Sequence, residues 1–489
     1  MKCIGFSRLL AYTSVLVLAN TLSPLVAPRT AATAEHPSLI GCAQANEHLV
    51  LIASAELDPN CTYTGGIEIT NSGVLLDCRG AVIAATTEGA DHGILITAPA
   101  SVALHNITIR NCTVEGFLNS VRISRTGFRS LAPGTEYHEA HHDIVIEDST
   151  FRWSRGVGVF IDAYVTRVTL QRLRIEGAGS SGIYLEAGSR DNLIADNVIV
   201  GNGFRQNGPH GQSWTLGNGV NIWFWGTGRE GISVDGSRHN RIIGNRLERN
   251  SAGGVFLYKN CGEFAHQQPD RWWERRYGAD DNLIEGNHFV GEHTGVWIGS
   301  RMSENPLPMD CSDPAYVEEP LVRVTLDRAR GNRVLGNEFR DVTFGVRVED
   351  DDTAVIANRF GGADPSQLAV VVGTRWRTIR LGRPVTGTTI VANTAQIAGN
   401  MSPYRWTYGH SNTTFIDNNS LDLPAVFCQA PPIPTNPFIF VLAFVAIDPN
   451  DQPPTSAINL ALPRLPTLNP CTTELRGNVP IAAAPSFTG

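Results

Sequence analysis

Asp191-Asn-Leu-Ile-Ala-Asp-Asn197, His239-Asn-Arg-Ile-Ile-Gly-Asn245, Asp281-Asn-Leu-Ile-Glu-Gly-Asn287 and Gly331-Asn-Arg-Val-Leu-Gly-Asn337 are four versions of one phrase, and each opens a repeating unit. A second short segment follows in the same rhythm: Gly158-Val-Phe-Ile-Asp162, Gly182-Ile-Tyr-Leu-Glu186, Gly231-Ile-Ser-Val-Asp235, Gly254-Val-Phe-Leu-Tyr258, Gly295-Val-Trp-Ile-Gly299 and Gly345-Val-Arg-Val-Glu349. Val159 to Ile183 is 24 residues, Ile232 to Val255 is 23 and Val346 to Val370 is 24, and the longer intervals contain inserted loops. Strands this short, apolar at alternate positions, cannot bury their apolar side alone, so the units must stack into a solenoid. Asn197, Asn245, Asn287, Asn337 and Asn358 recur at one turn position and should form a ladder, each side chain bonding a neighbouring coil. The composition agrees. A chain of 489 residues would ordinarily split into about three domains. Its 48 Gly, 28 Pro and 18% charged residues instead describe one turn-rich β protein, neither disordered nor a helical bundle.

This arrangement resembles the right-handed parallel β-helix, the pectate-lyase-like architecture shared by many secreted polysaccharide lyases, epimerases and hydrolases. The resemblance spans about residues 64–420 and speaks to fold; no full catalytic signature of any one family is present. It implies an all-β, single-stranded solenoid with long inserted loops. Residues 35–63 are expected to close the N-terminal mouth, because an open β-helix exposes a strand edge. Residues 421–489, with Pro431, Pro432, Pro434, Pro437, Pro453 and Pro454, are expected to form a C-terminal cap. The apolar segment Phe438–Ile447 is too short to span a bilayer as a helix.

Residues 1–34 carry Lys2, Arg8 and Arg29 without an acid, then an apolar stretch and the small-residue end Ala32-Thr33-Ala34, which reads as a secretory signal peptide. Its removal moves the formal charge from -8 to -11, which argues against nucleic acid as a partner. A secreted or periplasmic monomer without a membrane span is expected. Eight cysteines then remain, an even number suited to an oxidising compartment. The expected pairs are Cys42 with Cys61, Cys78 with Cys112, Cys261 with Cys311, and Cys428 with Cys471.

Strand alternation places the fourth position of each Gly-Val-x-Ile-x segment on the outside, where consecutive coils present Asp162, Glu186, Asp235, Tyr258, Gly299 and Glu349. With coils about 4.8 Å apart, Asp162, Glu186 and Asp235 would form an exposed column of like charges, a frustrated arrangement that a cation such as calcium would relieve. Insertions at 125–141, 203–230, 261–279 and 302–330 would wall this face into a groove. Trp223, Trp225 and Trp272 offer flat apolar surfaces there, and Arg271, Arg275 and Arg276 offer partners for carboxylates. Together these suit an acidic polysaccharide or oligosaccharide.

Only Lys2 and Lys259 are lysines among 39 basic residues. Arginine does not give up its proton readily, whereas lysine can serve as a base. The expected chemistry is β-elimination by a polysaccharide lyase: Lys259 as base, Tyr258 or Arg301 assisting the leaving oxygen, His142 or its neighbour His141 as alternative base, and Ca²⁺ on Asp162, Glu186 and Asp235. The same parts without cleavage would give a C5-epimerase. An inverting glycoside hydrolase would instead use a carboxyl pair about 6.5–9.5 Å apart, such as Asp162 and Asp235. A non-catalytic glycan-binding surface protein is the third reading. Zinc, nucleotide and serine-hydrolase chemistry find no Cys/His metal spacing, phosphate loop or nucleophile elbow.

Overall fold

The computed structural model describes residues 37–87, 90–204, 212–215, 221–224, 228–260, 273, 275–299, 316–318, 322–324, 328–374, 377–378, 383–399, 401–420, 423–429 and 471–474. The repeats stack as a right-handed parallel β-helix with three sheets running its length. The phrase Leu193–Ala195, Arg241–Ile243, Leu283–Glu285 and Arg333–Leu335 lies in a 13-stranded sheet. Val198–Val200, Arg246–Glu248, His288–Val290 and Glu338–Arg340 follow in an 11-stranded sheet. Val159–Ile161, Ile183–Leu185, Glu230–Asp235, Gly253–Tyr258, Thr294–Ile298 and Phe344–Val348 belong to a 14-stranded sheet.

The two-residue turn between the first two sheets explains the repeated phrase. Its first residue must take a left-handed conformation, adopted by Asp196 (φ 55°), Gly244 (65°), Gly286 (61°) and Gly336 (59°). Asp and Gly visit that region at low cost. The second residue is the ladder asparagine. Asn197 donates its amide and side-chain nitrogens to Asn245 Oδ1, Asn245 to Asn287, Asn287 to Asn337, and Asn337 to Asn358. The ladder continues past the expected residues to Asn393 and Asn418. A second ladder, Asn192, Asn240, Asn282 and Asn332, runs along the next corner. A third runs through Asn202 and Asn250 and ends on Glu292.

Inside, like stacks on like: Ile194, Ile242, Ile284 and Val334 are fully buried on successive coils, and Phe289, Phe339 and Phe360 stack at 4.7 Å. Burial of such continuous rows is the main stabilising term of a solenoid.

Ser38–Ile40, Leu49–Leu51 and Ala55–Leu57 already pair in parallel with the sheets, so part of the segment read as a mouth closure contributes coils. Cys42–Cys61 and Cys78–Cys112, two of the four expected pairs, are disulfides. Cys428 is disulfide-bonded, and Cys471 stands opposite it across the antiparallel pair Ala425–Cys428 with Cys471–Glu474. Cys261, Cys311, the leader segment and Phe438–Ile447 lie outside the described residues. Among the described residues no helix is long and apolar enough to cross a membrane.

Candidate functional site

The fourth-position column lies outside the apolar core of the 14-stranded sheet, in register from coil to coil. It is not on the surface, however. Asp162 is 1% exposed, Asp235 0%, Tyr258 2% and Glu349 2%; only Glu186 keeps partial solvent contact, with 13% of its side chain exposed. The cover comes from insertions. Phe128, Leu131 and Tyr137 from one insertion and Trp273 and Tyr277 from another pack on Ala163, Tyr164 and Ala187, a second apolar cluster outside the solenoid core. Alternation fixes which way a strand residue points, but not what later folds over it.

Each buried acid has found protein partners. Asp162 pairs with Arg122 at 3.0 Å and accepts the Arg125 amide at 3.1 Å. Burial nonetheless raises its pKa, with Arg122 opposing. Asp235 accepts from the Tyr184 hydroxyl at 2.5 Å, from the Asn260 amide at 2.6 Å and from the Asn260 side chain. Glu186 stands 3.8 Å from Arg275. Its pKa is raised to about 7 by burial, against Arg275, with the charges of Asp235 and then Asp162 adding to the rise. Among the described residues the only trio of metal-ligating side chains with ligand atoms within 4.8 Å of one another is Cys42, Asp58 and Cys61, and both cysteines are in a disulfide. Asp162, Glu186 and Asp235, the expected calcium ligands, are not such a trio in this arrangement of side chains.

Tyr258 bridges two groups absent from the sequence reading: its hydroxyl accepts from Arg229 at 2.9 Å and donates to Glu230 at 2.9 Å. Glu230 is itself 2% exposed and 3.7 Å from Arg229. Lys259, next along the chain, is fully buried.

His142 is not brought to this face. It opens the strand His142–Glu147 of the 13-stranded sheet, stacks on His105 at 5.2 Å and bonds Asp143 at 2.7 Å. His141 is buried with one ring nitrogen on the Leu104 amide and the other on the Ser124 carbonyl, and burial lowers its pKa to about 4. Both of its nitrogens are thus committed to the backbone. Arg276 bonds Glu136 at 2.7 Å. Trp223 falls on a strand, Asn221–Phe224, paired with Gln212–Thr215. Trp225, Arg271, Trp272 and Arg301 lie outside the described residues.

A stripe of outward side chains at the middle strand positions was also missed. Phe160 and Tyr184 stack at 5.0 Å, Phe256 meets Trp297 edge-on at 5.2 Å, and Arg122 and Arg347 lie over Phe160 and Trp297. The signal was present in Gly-Val-Phe-Ile, Gly-Ile-Tyr-Leu and Gly-Val-Trp-Ile, whose third letter is aromatic. Gly299 interrupts the acidic column because the Trp297 indole occupies the space a side chain there would need.

Residues 60–268 match the family model described as right handed beta helix region. Among curated proteins none matches this sequence. Three similar solved structures are the catalytic domain of a GH87 alpha-1,3-glucanase (9% identity, TM-score 0.38, 78% of this chain and 60% of that one), the Azotobacter vinelandii mannuronan C-5 epimerase AlgE4 A-module (13%, 0.40, 81% and 90%) and an alginate lyase from Paenibacillus sp. (9%, 0.34, 76% and 99%). This chain thus spans less than two thirds of the glucanase domain.

Proposed function

We propose that this protein is a secreted carbohydrate-active enzyme that breaks a glycosidic bond on the outer face of the 14-stranded sheet, with Glu186 protonating the leaving oxygen. The observation that carries the reading is the contrast within the column. Glu186 is its one acid with appreciable solvent contact, and burial together with two acidic neighbours holds its proton to about 7. A carboxyl with that property is suited to general-acid catalysis near neutral pH. Phe160 and Phe256 of the aromatic stripe keep partial exposure and offer apolar surface on which a sugar ring could pack. The disulfides fit an oxidising compartment.

Hydrolysis is the reading this geometry supports best, with Asp162 or Asp235, one coil to either side of Glu186, as the second carboxylate. Elimination from a uronate needs positive charge left over to neutralise the substrate acid. Among the described residues Arg122, Arg229, Arg275, Arg276 and Arg347 each already lie within 4 Å of a carboxylate. β-Elimination of an acidic polysaccharide stands second, supported by Lys259 beside Tyr258 on the coil after Asp235.

A panel of neutral and acidic polysaccharides, with and without chelator, tests both. New reducing ends without ultraviolet-absorbing product, lost in Glu186→Gln, support hydrolysis. Unsaturated product absorbing in the ultraviolet transfers the assignment to elimination. Glycan binding without turnover across the panel would overturn the enzymatic reading.

A further inference from the structure

Two insertions leave the solenoid on different coils and meet above the acidic column. In the first, the Arg125 amide donates to Asp162 at 3.1 Å, and the Arg125 guanidinium donates to the Glu136 carbonyl oxygen. The Glu136 carboxylate, only 2% exposed, then accepts from Arg276 Nη1 of the second insertion at 2.7 Å. Arg275, the preceding residue, reaches to 3.8 Å from Glu186 and lies over the Trp273 ring at 4.9 Å. Trp273 is gripped edge-on by Phe128 at 5.2 Å and Tyr164 at 5.6 Å. Arg275 is therefore held from both sides, by an aromatic anchor two residues before it and a buried ion pair one residue after it.

We propose that Glu136, through its ion pair with Arg276, is a positioning residue that holds Arg275 opposite Glu186. The inference rests on the reading of Glu186 as proton donor. Among the described residues, the charged and titratable groups acting on Glu186 are Asp162 from the preceding coil, Asp235 from the following coil, Tyr184 on its own strand and Arg275 from the insertion. Of these only Arg275 is a cation. Without it, the carboxylate left after proton transfer would face acids in a buried setting, and the acid would be too weak to protonate a leaving oxygen efficiently. Glu136 touches neither substrate nor Glu186; it acts through the backbone that joins Arg276 to Arg275.

The test reads the carboxyl of Glu186 directly, by ¹³C NMR titration of protein labelled at glutamate, with the resonance assigned by its loss in Glu186→Gln. In the unaltered protein the midpoint should lie near 7. Glu136→Gln keeps the shape but removes the charge, and should raise the midpoint by about one pH unit, as should Arg275→Gln. Arg276→Lys, which preserves a cation opposite Glu136, should leave it within a few tenths of a pH unit of the starting value. Should Glu136→Gln fail to fold by thermal melting, Arg276→Gln carries the same expectation. A midpoint that moves in Arg275→Gln but not in Glu136→Gln or Arg276→Gln would overturn the positioning role and leave Glu186 as proton donor. A midpoint in the ordinary carboxylate range in the unaltered protein would overturn the proton-donor reading itself.

Discussion

Tyr184 donates its phenolic hydrogen to Asp235 at 2.5 Å, reaching from one coil of the solenoid to the next across a span of 51 residues in sequence. Burial, then the charges of Asp235 and Glu186, push the phenol well above its usual range, so it remains a donor in any physiological medium. Tyr184→Phe should cost about 1–3 kcal/mol in denaturant unfolding, because it deprives a fully buried carboxylate of one of three donors. Tyrosinate absorbance should titrate identically in the two proteins up to about pH 11, since Tyr184 does not ionise there. An additional tyrosinate in the unaltered protein below that pH would contradict the assignment.

Glu186 should give activity an alkaline limit. As an acid that must be protonated to act, it should lose effect as pH rises through about 7. Glu186→Gln should lower turnover by roughly 10²–10⁴-fold below pH 7, a deficit that narrows above it as the unaltered protein loses its proton. Stability has the same sign. With a folded pKa above the unfolded one, Glu186's contribution is complete below the ordinary glutamate range and is lost as pH rises through about 7, so unfolding free energy in Glu186→Gln should depend less on pH in that interval.

Lys259 distinguishes the two cleavage chemistries. Under hydrolysis, Lys259→Arg should retain turnover within about 10-fold once any loss of folded protein is corrected by thermal melting. A drop of roughly 10²-fold or more, in a protein whose product absorbs in the ultraviolet, would identify the lysine as the base of an elimination.

Glu292 ends the third ladder where its predecessors are asparagine, accepting the Asn250 amide at 3.0 Å and side chain at 2.8 Å. Burial raises its pKa to about 8, although both bonds from Asn250 oppose the rise. Its contribution is therefore full below the ordinary glutamate range and lost as pH climbs through about 8. Glu292→Gln, which needs no proton to stay neutral, should be more stable than the unaltered protein at pH 9 by up to about 4 kcal/mol, and close to it at pH 4. Urea unfolding at the two pH values decides this.

Asn245 lies mid-ladder, fully buried, accepting two bonds from Asn197 and donating to Asn287 and the Ile194 carbonyl. Asn245→Ala strands several buried groups at once and should cost about 2–4 kcal/mol by the same measurement. Asn418→Ala, at the C-terminal end of the same ladder, should cost less, because its partly buried groups can turn to water.

The repeat was legible because a solenoid coil touches chiefly its neighbours, so one set of demands returns at near-regular sequence intervals. Ile194, Ile242, Ile284 and Val334 fill the same row, the left-handed turn position accepts Asp or Gly, and the next residue must bond the following coil. Local geometry alone writes those letters. The order of Asp162, Glu186, Asp235 and Tyr258 along one face was legible for the same reason, since strand register follows the repeat.

What covers that face was decided by tertiary structure. Glu136 and Arg276 are 140 residues apart, on insertions of unequal length that follow no period, yet their contact helps turn an expected open column into a buried set of ion pairs. His142 was misplaced because His-Asp-Ile-Val-Ile-Glu alternates like any other strand of the solenoid, and only the path of the coil assigns it to the 13-stranded sheet. Sequence by itself determined the stacking unit and the direction each side chain leaves it. Burial, and with it the partners of the acids in the column and the raised pKa of Asp162 and Glu186, came from contacts between segments whose separation no local rule records.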